Sequence, residues 1–315
     1  MNTESNAVPE SPLGSPAVAP APMSVPRPFY WSVRRELWEN RSIYLAPLAV
    51  AAVVLLGSMI SLVGLPRSVR GVAALDPAMQ SGMLAHPYAH IAMLLVATGI
   101  LVGIFYCLDA LHGERRDRSI LFWKSLPVSD LTTVLSKAFI PFVILPLSIF
   151  FITVVLQFIM LLMSSVVLIV SGAGVATLWT RLPLFQMQLV LLYGLMVLAL
   201  WHAPIYAWLL LVSGWARRAT FLWAVLPLVA IGVFERLAFR TSYFGSLMHD
   251  RLGGFAAHAF AFQLRGNAPV DPHFIPLALL TPGRFLSTPG LWIGLIVAAA
   301  FLALAVRLRR YREPI

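Results

Sequence analysis

Six apolar segments set the pattern of this chain, at residues 43–65, 89–111, 138–170, 189–213, 219–239 and 289–306. Each comes close to or exceeds the roughly 20 residues that a helix needs to cross a bilayer. The pattern predicts an all-α integral membrane protein with six transmembrane helices in one domain, residues 29–315. The third segment is too long for one straight span, and Pro141 and Pro146 are placed to kink it. Only Gly214 to Arg218 separates the fourth segment from the fifth, which predicts a tight helical hairpin. Glu235 and Arg236 interrupt the fifth near its outer end and read as an ion pair at the rim.

The polar stretches between these segments have patterns of their own. Residues 29–42, FYWSVRRELWENRS, put Tyr30, Trp31, Val33, Leu37 and Trp38 over one broad face and Ser32, Arg35, Glu36 and Glu39 opposite. That predicts an interfacial amphipathic helix running into the first span; its simplest reading is a basic, aromatic anchor. Further on, Gly113 is placed to end the second helix in the left-handed conformation. Asp117 can then cap a short helix reaching Leu126, with Phe122, Trp123 and Leu126 on one face and Asp117, Lys124 and Ser125 on the other. Pro127 stops that helix, and Ser129 caps the next one, which starts at Asp130. The alternative is a plain polar connector, but a solvated connector has no need of Phe122, Trp123 and Leu126. Residues 1–28, rich in Pro, Ala and Ser, read as a disordered tail without the basic start or apolar core of a signal peptide. Residues 240–288 are broken by Gly253-Gly254 and four prolines, yet carry Phe255, Phe260, Phe262 and Phe274. Short helices packed on the outer rim are expected there.

Composition sharpens this picture. Charged residues are only 11% of the chain and apolar ones 59%, which excludes a soluble fold. The net charge of +10 looks at first like a nucleic-acid signal, but the placement of the basic residues explains it otherwise. With the N-terminus inside, fourteen of them flank the inner ends of the six segments and three lie in the short outer loops. The positive-inside rule then puts both termini in the cytoplasm, with no nucleic-acid partner. Cys107 stands alone in an apolar run, so there is no disulfide framework and its role is packing.

Catalytic chemistry is hard to find. No metal-binding HExxH, paired intramembrane aspartates or serine-lysine dyad occurs, since Lys124 and Lys137 both lie in the loop after the second segment. No GxxxxGK[ST] phosphate loop occurs either, so the chain is not itself a Walker-type ATPase. Only His202 is ionisable well inside a span, and beside Trp201 and Pro204 it reads as a hydrogen-bonded packing residue rather than a proton relay.

The acidic-basic head Glu114, Arg115, Asp117, the apolar run after it, Leu126-Pro127-Val128-Ser129 and Lys137 together resemble the first cytoplasmic loop of permease subunits of type 2 ABC exporters. Arg118-Ser119 stands where that family usually has glycine-threonine. The resemblance implies that the loop carries a short cytoplasmic coupling helix docking into a separate ATPase subunit, with Glu114, Arg115, Arg116, Asp117, Phe122, Trp123, Leu126 and Pro127 as coupling residues. It makes the helix before the first span an elbow helix, carried by Trp31, Arg35, Glu36 and Trp38. It further implies a bacterial inner membrane and a second permease copy or homologue. ATP and magnesium would be bound by the partner ATPase, and no cofactor by this chain. A non-transporting membrane scaffold or assembly factor is the alternative.

Overall fold

The computed structural model describes residues 26–73, 75–117, 128–172, 174–261 and 277–311. Among these the chain is helical, apart from turns and one isolated antiparallel bridge between Phe260 and Leu280. Helix α1 (Pro26–Glu39) precedes α2 (Ser42–Ser61), which passes through a single 3₁₀ turn into α3 (Leu65–Ala73). Then come α4 (Pro77–Asp109) and the short α5 (His112–Arg116). After the undescribed residues 118–127, α6 (Asp130–Phe139) continues through a π-turn at Ile140–Ile144 into α7 (Leu145–Val170). The chain goes on with α8 (Ala176–Arg181), α9 (Leu184–Trp201), α10 (Ala203–Trp215) and α11 (Thr220–Phe239). It closes with α12 (Tyr243–Gly253), α13 (Phe255–Ala259), α14 (Pro282–Ser287) and α15 (Pro289–Tyr311).

Among the described residues six helical stretches are long and apolar enough to cross a membrane: residues 42–72, 79–116, 130–170, 176–201, 220–239 and 289–311. The chain is thus a helical, multi-pass type of protein. Several local expectations change in detail. Pro77 sits at the first helical position after an extended Asp76, so α4 begins twelve residues before the expected apolar segment. Pro141 does not break the third segment, because the π-turn absorbs its missing N–H and the helix stays continuous over 41 residues. At about 1.5 Å per residue that run is roughly twice the thickness of the hydrocarbon core, so part of it stands clear of the lipid.

The fourth segment does break. Pro204 has no N–H for the carbonyl of Leu200, and His202 serves as both the end of α9 and the start of α10. Gly113 lies inside α5 rather than in a left-handed cap, a conformation that among the described glycines only Gly172 adopts. The expected cap of α6 is present: Ser129 Oγ accepts the Thr132 N–H at 3.1 Å.

Packing among the spans is close where side chains are small. A Cβ on Gly99 would lie 2.8 Å from Ile149 Cγ1, so glycine is what lets α4 and α7 approach. Leu95, Ile149 and Leu168 are buried along that seam, while Cys107, Ile140, Leu145 and Leu210 fill the space between α4, α7 and α10. Cys107 is fully covered, in keeping with a packing role.

Residues 243–261 and 277–287 form short helices, as expected, and these pack into the bundle. Phe255 reaches the His202 ring at 5.9 Å, and the Trp201 indole donates to the Asp250 carbonyl at 3.1 Å. Arg251 lies 4.4 Å over the Trp201 ring and His258 stacks against that ring at 4.7 Å, so α12 and α13 are keyed into the break between α9 and α10. A Cβ on Gly294 would sit 2.8 Å from Arg251 Nη1; the guanidinium enters only because α15 has glycine there. Glu235 does not pair with Arg236. Its carboxylate accepts from Thr241 Oγ1 at 2.9 Å and from the N–H groups of Tyr243 and Phe244 at 2.6 and 2.8 Å, capping α12.

Candidate functional site

The most unusual chemistry lies where α1, α5, α6 and α15 meet. Lys137, on the last turn of α6, is 2% exposed, and its Nζ lies 2.7 Å from Glu36 Oε1 and 3.1 Å from Glu114 Oε1. Arg35 from α1 reaches the same Glu114 oxygen at 2.6 Å, Glu36 at 3.3 Å and Glu39 at 3.2 Å. Arg309, near the end of α15, bonds the other Glu114 oxygen through Nη1 and Asp130 through Nε at 3.1 Å. Tyr106 of α4 donates its hydroxyl to Glu36 Oε2 at 2.9 Å. Three cations thus meet four carboxylates in a largely dry space, with Glu36, Glu114, Lys137 and Arg309 all buried.

Such a cluster survives burial only because each buried charge faces at least two opposite ones, and the loss of one leaves the rest uncompensated. Burial works against the charge on Arg35, but Glu36, Glu114 and Glu39 outweigh it and raise its pKa. The helix ends assist: Asp130 begins α6 and Arg309 lies in the last turn of α15, each at the end whose dipole favours its sign.

A second set of bonds fixes the start of the loop. Ser213 Oγ of α10 accepts the N–H groups of Leu111 and His112, both at 2.9 Å, covering orphan donors where α5 begins. Arg115 donates Nη1 to the carbonyls of Gly214 and Ala216 at 2.9 and 3.3 Å, covering the end of α10. Arg309 meanwhile holds both sides of the loop at once, Glu114 before it and Asp130 after it. The described residues on both sides of 118–127 are therefore anchored.

Several expected site residues take other places. Glu114 and Arg115 are buried in contacts within the chain; the short helix α5 turns both inward. Arg116 and Asp117 are exposed and pair with each other at 3.0 Å. Phe122, Trp123, Leu126 and Pro127 lie outside the described residues. In α1, Trp31 and Trp38 are exposed, while Glu36 lies on the buried side beside Val33. Periodicity separates two faces without saying which of them meets the protein, and Lys137 and Tyr106 supply partners that the helix pattern alone does not reveal. Tyr106, Asp130 and Arg309 were not expected at the site. Their signals in the sequence were a tyrosine at the end of a span, an acid opening a helix and an arginine counted for topology.

At the opposite end of the bundle, a cavity of about 230 Å³ opens between α2, α3, α4 and α7, lined by Ser58, Ser68, Ser164, Tyr88, Met83 and Met160 among others, with no charged side chain. No group of His, Cys, Asp and Glu able to hold a metal occurs among the described residues. No protein-family model matches the chain, and no curated protein or solved structure matches it either.

Proposed function

We propose that this chain is the permease subunit of an ATP-driven exporter of the type 2 ABC class. It would work in the inner membrane of a bacterium as a dimer or pseudo-dimer with two ATPase subunits, both of its termini in the cytoplasm. The observation that carries this reading is the anchoring of the loop between α5 and α6. A connector without a mechanical task has no need of bonds to three other helices, yet here Glu114, Arg115 and Asp130 tie the loop to α1, α10 and α15. A push delivered to residues 118–127 by a partner would reach α1, α6 and α15 through ion pairs rather than be lost in a loose turn. Phe122, Trp123 and Leu126 are the apolar anchors for the ATPase, and the exposed Arg116 and Asp117 set orientation beside them.

ATP and magnesium belong to the partner on this reading, in line with the lack of a phosphate loop here. The test is affinity purification of the tagged chain from its native membranes. A co-purifying subunit that carries a phosphate loop is expected, with ATP hydrolysis found in the complex and absent from the chain alone. Hydrolysis by the isolated chain, or purification with no such subunit, would refute the reading.

A further inference from the structure

We propose that Arg34, held between Trp31 and Trp38, binds the phosphate of an anionic phospholipid in the leaflet that α1 contacts. Residues 31, 34 and 38 follow helical spacing and form one stripe along α1. The Arg34 guanidinium carbon lies 5.1 Å from the Trp31 ring centroid and 4.9 Å from that of Trp38. Both indoles are largely exposed, at 57% and 68%. Two aromatic faces hold the guanidinium while its N–H edges remain available, and Arg34 makes no hydrogen bond or ion pair among the described residues.

The next residue shows the contrast. Arg35 points to the other side of the same helix, where it meets Glu36, Glu39 and Glu114. The carboxylate nearest the outward stripe, Glu39, is thus already engaged, and the stripe offers an anion only positive charge. Exposed Arg41 adds a second cation just before α2 begins.

A planar guanidinium fork fits phosphate oxygens in a bidentate manner, and exposed tryptophans favour the headgroup level of a bilayer. The stripe ends where an apolar span begins, which sets Arg34 at that level. A zwitterionic lipid carries its own cation beside the phosphate, so the site prefers a lipid with net negative charge. Because Glu36 and Arg35 occupy the other face of α1, a bound headgroup would hold the helix that completes the buried network.

The experiment uses the full chain in mild detergent, with phosphatidylglycerol and phosphatidylcholine of matched acyl chains as probes and native mass spectrometry as the readout. The wild type is expected to retain phosphatidylglycerol in preference. Arg34→Gln should reduce that preference about fivefold, the equivalent of about 1 kcal/mol for one arginine near an anionic surface. Arg34→Lys should fall between the two. Arg70→Gln, at an exposed position of α3, should leave the preference unchanged, and so should excess inorganic phosphate. Retention of the full preference by Arg34→Gln, an equal loss in Arg70→Gln, or displacement by inorganic phosphate would each overturn the assignment. Arg34 lies on the outward stripe, so the variant should unfold at the wild-type temperature, and the comparison is between folded proteins.

Discussion

Lys137 shows best what a single residue does here, since its ammonium is shared by Glu36 and Glu114 and almost wholly covered. Lys137→Met would keep the stem and remove the charge, leaving two buried carboxylates short of a cation. The expected loss of stability is about 3–5 kcal/mol, measured as a fall in unfolding temperature in detergent. Adding Glu36→Gln to that variant should recover part of the loss, because it removes one of the stranded charges. Melting of Lys137→Met at the wild-type temperature would show that the cluster is not the closed network described. At this scale the sequence was a partial guide. Lys137 and Glu114 stood out in the loop pattern, whereas the partnership with Tyr106, Asp130 and Arg309 joins residues far apart in the chain. No local rule of spacing predicts such a meeting.

At the level of elements, apolar runs and capping residues located the spans, the start of α6 at Ser129 and the hairpin of α10 and α11. The course of residues 243–261 and 277–287 was not legible in the same way. Its depth is decided by the break at His202 and by the space over Gly290 and Gly294, both of them features of other helices. This gives a second prediction. Gly294→Leu must expel the Arg251 guanidinium, whose Nη1 already lies 2.8 Å from the position of a Cβ, and α12 and α13 should loosen together. A cysteine placed at Ala259, fully buried in the wild type, should then become open to thiol labelling. Arg251→Ala in the Gly294→Leu background should add little, since the contact is already gone. Unchanged labelling would mean that the outer helices are held by something other than this key.

For the whole molecule, the ion pairs give a topological argument independent of counting charges. Glu36 before the first span, Glu114 after the second, Lys137 at the start of the third and Arg309 at the end of the sixth are in contact, so those ends share one end of the bundle. Ser213, in α10 before the fifth, joins them through its bonds to Leu111 and His112. Cysteines placed at Arg41, Arg217 and Arg310 should therefore be labelled from one side of a membrane and those at Arg70 and Arg240 from the other. A mixed result would overturn the six-span reading.

The central claim concerns the loop that these anchors hold. Its most direct test is the double variant Phe122→Ala, Trp123→Ala, produced in native membranes and purified by a tag on this chain. Neither residue lies within an apolar segment, so membrane insertion should match the wild type. Removing two large aromatic anchors from an interface costs on the order of 2 kcal/mol or more where they form its hot spot, so the proposed ATPase partner should be largely lost from the purified complex. A variant that inserts normally and keeps its ATPase and transport in full would contradict the account and make the loop a plain connector.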